Sequence, residues 1–148
     1  PRSRTAQVIA YFDTSSVVPL IINEASTGLC NRIWNESSRV VCARLLYPEV
    51  RAALAKAERI GRIDQTQLQS AVVELDSIVA EIDHVELTAE VAHAAGELAE
   101  THGLRGYDAV HLAAATTVAD SDLVLVTGDS ELVAAAVAIG LAVSNTNA

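Results

Sequence analysis

An α/β fold, with a parallel sheet covered by helices on both faces, is predicted for this chain on two observations. Short β-rich apolar runs alternate with helical segments along the whole of the 148 residues, the pattern of a parallel sheet connected by helices. The strand-like runs "IAYFD" and "VLVTGD" both end in an acid and lead directly into a helix, as at the carboxyl edge of an open parallel sheet.

Each element follows from its local pattern. "QVIAYFD" reads as a strand rich in β-branched and aromatic residues. "TSSVVPLIINE" is expected to form a short helix broken near Pro19, and residues 25–35 a second helix. "SSRVVCA" is a short strand. "ARLLYPEVRAALAKAERIG" is a helix with Pro48 in its first turn, where a missing N–H costs little, and Gly61 at its end. "DQTQLQSAVVELDSIVAEID" is a helix with Asp64 as N-cap and Leu68, Val72, Leu75 and Val79 on one face. "HVELT" is a strand, "TAEVAHAAGELAETHG" a helix stopped by Gly103, and "GYDAVHLAAATTVAD" an alanine-rich helix. "DLVLVTGD" is a continuous apolar strand, "SELVAAAVAIG" a helix and "LAVSN" a last strand. No internal repeat, linker or low-complexity segment interrupts the series, so residues 1–148 are expected to be one domain.

Composition narrows the function classes. Hydrophobic residues make up 51% of the chain, which argues against disorder. The longest uncharged apolar run, residues 132–143, is shorter than the roughly 20 residues a membrane-spanning helix needs. The opening "PRSRTAQ" lacks the apolar core of a signal peptide. Two cysteines, Cys30 and Cys42, make no disulfide framework, and a reducing cytosol is expected. The net charge of −9 disfavours nucleic-acid binding as a whole-chain property. The charge is uneven, however. Residues 63–102 hold nine acids and no Lys or Arg, whereas seven of the ten bases lie between Arg32 and Arg62. One surface is therefore basic enough to meet phosphate, unless these are solvated helix faces.

Four acids call for an explanation. Asp13 and Asp129 close two strands at the same end of the sheet, where each also suits a helix N-cap. Glu49 lies in a helical stripe of Leu45, Leu46, Ala53 and Leu54, where a carboxylate needs a compensating partner. A local Arg44 or Arg51 would serve. Asp108 shares a helix face with His111, Leu112 and Ala115, or else interacts with the dipole of the helix it opens. Four ionised carboxylates converge only around a counter-charge. A hard divalent cation, Mg²⁺ or Mn²⁺, takes such oxygen ligands, and sites of this kind perform phosphoryl chemistry.

Other chemistries lack their signatures. There is no P-loop, no dinucleotide glycine motif, no Cys/His pattern for zinc and no HExxH. Ser15 and Ser16 have no paired histidine at an informative position. His84, His93, His102 and His111 are spaced by nine, which places successive ones on opposite helix faces; the spacing is read as chance.

In order, "YFDTSSVVPL", "RLLYPEVRAAL", "LRGYDAVHLAAA" and "LVLVTGDSEL" resemble the motifs of PIN domains, and among them of VapC-type toxins from bacterial type II toxin–antitoxin systems. The resemblance covers nearly the whole chain. It implies a parallel sheet of order 3-2-1-4-5 in a three-layer α/β/α fold. It also implies Asp13, Glu49, Asp108 and Asp129 as an acidic metal pocket, with Ser15 and Thr127 holding a carboxylate or a water in place. Further implications are an Mg²⁺- or Mn²⁺-dependent endoribonuclease, a homodimer, and a cognate VapB-type antitoxin; the acidity of the pocket suggests in turn that the antitoxin inhibits by placing a basic side chain there. The alanine-rich stretch 89–99 allows the close packing a dimer needs. Where this family often carries a basic residue between the Thr and the last Asp, this chain has Gly128. RNA phosphate contact then falls to Arg44, Arg51 and Arg105. Two rivals remain: a response-regulator receiver, which would need further acids beside Asp13 and a lysine late in the chain, and a PIN-like domain that binds RNA or protein without catalysis. The only lysine is Lys56.

Overall fold

A computed structural model describes residues 8–118 and 122–147. The opening seven residues, including Gln7 of the first predicted strand, and Ala119 and Asp120 of the alanine-rich helix lie outside the described residues. Five parallel strands, β1 (Ile9–Phe12), β2 (Arg39–Ala43), β3 (Asp83–Val85), β4 (Leu123–Thr127) and β5 (Ala142–Asn145), form one sheet of order β3-β2-β1-β4-β5. The expected fold class and strand order are both found.

Helices α1 (Thr14–Ile21), α2 (Thr27–Glu36), α3 (Leu46–Arg59) and α4 (Gln65–Val79) lie on one face, and α5 (Ala89–His102), α6 (Gly106–Val118) and α7 (Ser130–Ala138) on the other. The two-residue period of the strands divides the core between these layers. Ala10 and Phe12 of β1 pack with Val17, Leu46, Leu54 and Leu75, whereas Tyr11 faces Leu112, Leu125 and Leu132. Among the described residues no helix is long and apolar enough to cross a membrane.

The predicted punctuation works as its chemistry requires. Asp64 caps α4 in a reciprocal capping box with Gln67. Gly103 caps α5 at φ 66°, a conformation that suits a residue without Cβ. Pro48 is the third residue of α3. The exception is Pro19: α1 runs through it and ends at Ile21 rather than breaking there. So short a helix loses only one internal bond to the missing N–H, and the burial of Pro19 offsets that loss.

The sheet order brings β1 beside β4, and their register pairs Phe12 with Val126. The residues that follow, Asp13 and Thr127 to Asp129, therefore emerge side by side at the carboxyl edge, where the strand order switches direction.

Candidate active site

Asp13 is the N-cap of α1, and it is buried, at 4% exposure. A buried carboxylate needs donors, and this one has them. Its Oδ1 accepts from the Ser15 hydroxyl (2.7 Å) and the Ser16 backbone N–H (3.1 Å), and its Oδ2 accepts from the Thr127 hydroxyl (2.6 Å). Those hydroxyls are themselves held: Ser15 accepts from Gly128 N–H (2.9 Å), and Thr127 from Asp129 N–H (3.1 Å). The turn after β4 thus directs its N–H groups through two hydroxyls onto Asp13. Burial raises the Asp13 pKa, and the charge of His111 and the hydroxyl donors only partly oppose that rise.

Glu49, in the first turn of α3, accepts at Oε1 from the Thr14 hydroxyl (2.8 Å) and lies 2.6 Å from His111 Nε2. Burial pushes its pKa up, but the His111 hydrogen bond and charge and the Thr14 hydroxyl outweigh burial and leave it lowered. The alternative of a local arginine as its partner is therefore not found. Arg44 pairs with Glu86 through Nη2 at 2.8 Å, and Arg51 donates to the Tyr47 hydroxyl at 2.9 Å. Neither lines the cleft that the acids share. Arg39 pairs with Asp83 and Arg62 with Glu24, so much of the basic segment is neutralised locally.

Asp108 opens α6, and Asp129 caps α7, accepting from Glu131 N–H (2.9 Å) and Leu132 N–H (3.3 Å). Asp129 thus caps α7 while it lines the cleft. Burial raises the Asp108 pKa, followed by the charge of Asp129; Arg105 and His111 act against the rise. Arg105 is the one predicted phosphate-binding arginine whose charge acts on a cleft acid, and among the described residues it makes no ion pair.

Asp13, Glu49, Asp108 and Asp129 line a single cleft of about 430 Å³, together with Thr14 and His111. As placed, no three His, Cys, Asp or Glu among the described residues are gathered closely enough to hold a metal ion. The donor set nonetheless fits a hard cation that keeps several waters and binds few protein oxygens directly. Four carboxylates face one space, and among the described residues that line it there is no Lys or Arg.

Residues 10–138 match the family model of the PIN domain. Ribonuclease VapC45 of Mycobacterium tuberculosis (strain CDC 1551 / Oshkosh) is 41% identical over 136 residues, which cover 92% of this chain and 94% of that protein. The chain belongs to the PIN-domain family and, within it, to the VapC type. Among solved structures, PAE2754 from Pyrobaculum aerophilum superposes on this PIN domain with a TM-score of 0.65 at 26% identity, covering 86% of this chain and 84% of that one. A toxin–antitoxin complex from Klebsiella pneumoniae gives a TM-score of 0.67 at 16% identity, over 93% of this chain and 97% of the other, a likeness of fold.

Two features of this PIN domain escaped the sequence reading. The even spacing of the four histidines reads as chance, yet His111 is buried against Glu49 and Tyr11. Its apolar helix face was the available signal. Asn147 also lines the cleft, and its side-chain amide donates to the Gly128 carbonyl at 2.7 Å. A Cβ on Gly128 would stand 2.8 Å from Thr146 Oγ1 and 2.9 Å from Asn147 Nδ2, so the end of the chain occupies the space a larger residue at 128 would need.

Proposed function

We propose that this PIN domain is a divalent-metal-dependent endoribonuclease and the toxin of a type II toxin–antitoxin pair. The observation that supports this reading best is the convergence of Asp13, Glu49, Asp108 and Asp129, from four separate segments, on one cleft. The identity to a ribonuclease over nearly the full length of both chains supports the choice of RNA.

The four acids would hold one or two Mg²⁺ or Mn²⁺ ions. Bound there, such an ion neutralises phosphate charge and makes a coordinated water more acidic. Asp13 is fixed by its hydroxyl donors and keeps its orientation through the reaction. Asp108, on the cleft wall in the first turn of α6, is the carboxylate that would accept a proton from the attacking water. Arg105, beside Asp108 and without an ion pair among the described residues, meets the substrate phosphate. Water rather than the 2′-hydroxyl is the nucleophile, so the products carry a 5′-phosphate and a 3′-hydroxyl. The fold shared with a toxin–antitoxin complex supports a cognate VapB-type antitoxin as partner, and a homodimer and a cytoplasmic location complete the reading. Buried, unpaired Cys30 and Cys42 suit a reducing compartment.

The test is incubation of purified, antitoxin-free protein with total cellular RNA in Mg²⁺ or Mn²⁺, in EDTA, with added antitoxin, and as the Asp13→Asn variant. Discrete fragments are expected only from the metal-loaded, uninhibited wild type. Cleavage that survives EDTA, or 2′,3′-cyclic phosphate ends, would overturn the mechanism.

A further inference from the structure

Resting on the nuclease reading of the same cleft, we propose that His111 is a positioning residue: fixed by Tyr11, it holds one oxygen of Glu49 and leaves the other to the cleft. His111 is 2% exposed, and both of its ring nitrogens are engaged. Nδ1 lies 2.8 Å from the Tyr11 hydroxyl, and Nε2 lies 2.6 Å from Glu49 Oε1. An ionised carboxylate has no proton to give, so the proton in the second contact belongs to Nε2. Tyr11 lies wholly in the core, and burial above all holds it as a phenol, with one proton to donate. The Nε2 proton therefore points to Glu49, and the Tyr11 hydroxyl fixes the opposite edge of the ring.

Thr14 donates to the same Oε1 at 2.8 Å. One oxygen of Glu49 therefore takes two protein donors, and Oε2 has no hydrogen-bond partner among the described residues. The Glu49 side chain is 21% exposed and lines the cleft. A histidine that fixes a carboxylate through one nitrogen needs its other nitrogen fixed as well, because the ring otherwise exchanges tautomers and flips. Tyr11 supplies that constraint from β1, the central strand of the sheet.

Two measurements test this. In metal-free protein labelled with ¹⁵N-histidine, NMR is expected to show a proton held on His111 Nε2 in the wild type and exchanging between the two nitrogens in Tyr11→Phe. A bare Nε2 in the wild type would overturn the proposal. In RNA cleavage, His111→Leu fills the space without a donor and is expected to lower kcat ~10–100-fold with KM little changed. His111→Gln, which carries an amide N–H toward Glu49, is expected to recover most of the loss. Equal activity of His111→Leu and wild type, or no difference between the Leu and Gln variants, would also overturn it. Wild-type protein that cuts no RNA would remove the nuclease reading, and the NMR pattern would still decide whether Nε2 holds the proton.

Discussion

Thr127 has one hydroxyl proton, and it goes to Asp13 Oδ2 at 2.6 Å. Thr127→Val keeps the shape but removes the donor from a fully buried position. The variant is expected to unfold about 1–3 kcal/mol more easily, as measured by urea denaturation. It should also cut RNA ~10–100-fold more slowly, while Thr127→Ser should retain both properties. Much at this scale is legible in the sequence. An acid at a strand end is a local pattern, and Asp13 and Asp129 follow from it, whereas Thr127 enters only through the resemblance to the family. The partner of Glu49 is not local. His111 lies 62 residues away, and no spacing rule links α3 to α6. A charge argument points to the nearest arginines instead, but Arg44 and Arg51 are both engaged elsewhere.

The turn between β4 and α7 shows what an element contributes. Gly128 lies under Thr146 and Asn147, and Asn147 both closes over the Gly128 carbonyl and lines the cleft. Gly128→Ala is expected to displace that lid of side chains and to lower stability by about 1–3 kcal/mol in thermal or urea melts, through overpacking rather than backbone strain. The missing basic residue at 128 is visible in the sequence, but its physical reason is not, because β5 and the residues after it reach the turn only through sheet pairing. The same limit explains the boundaries. Capping chemistry places the ends of α4 and α5 closely, whereas Pro19, a strong local breaker, is overridden by the packing of α1 against β1 and β4.

Across the whole molecule, the gathering of acids sets a pH dependence. The pKa of Asp108 is raised from 3.8, by burial first and then by Asp129. In the folded state it therefore keeps its proton to higher pH than in the unfolded chain. Its contribution to stability is complete below the unfolded value and is lost as pH rises through the folded one. In EDTA, Asp108→Asn is expected to melt above wild type at pH 7, and the gap should close below about pH 4. Added Mg²⁺ should narrow the gap at pH 7 by stabilising the wild type. No difference at pH 7 would show that the acids do not strain the fold. The pairing of β1 with β4 has one more consequence. Thr127 and Asp13 are 114 residues apart along the chain, so a ribosome makes Asp13, Glu49 and Asp108 before the strand that gathers them exists. A nascent polypeptide that has just reached Asp108 carries three of the four acids and still lacks the β4 neighbour that sets Asp13 in place.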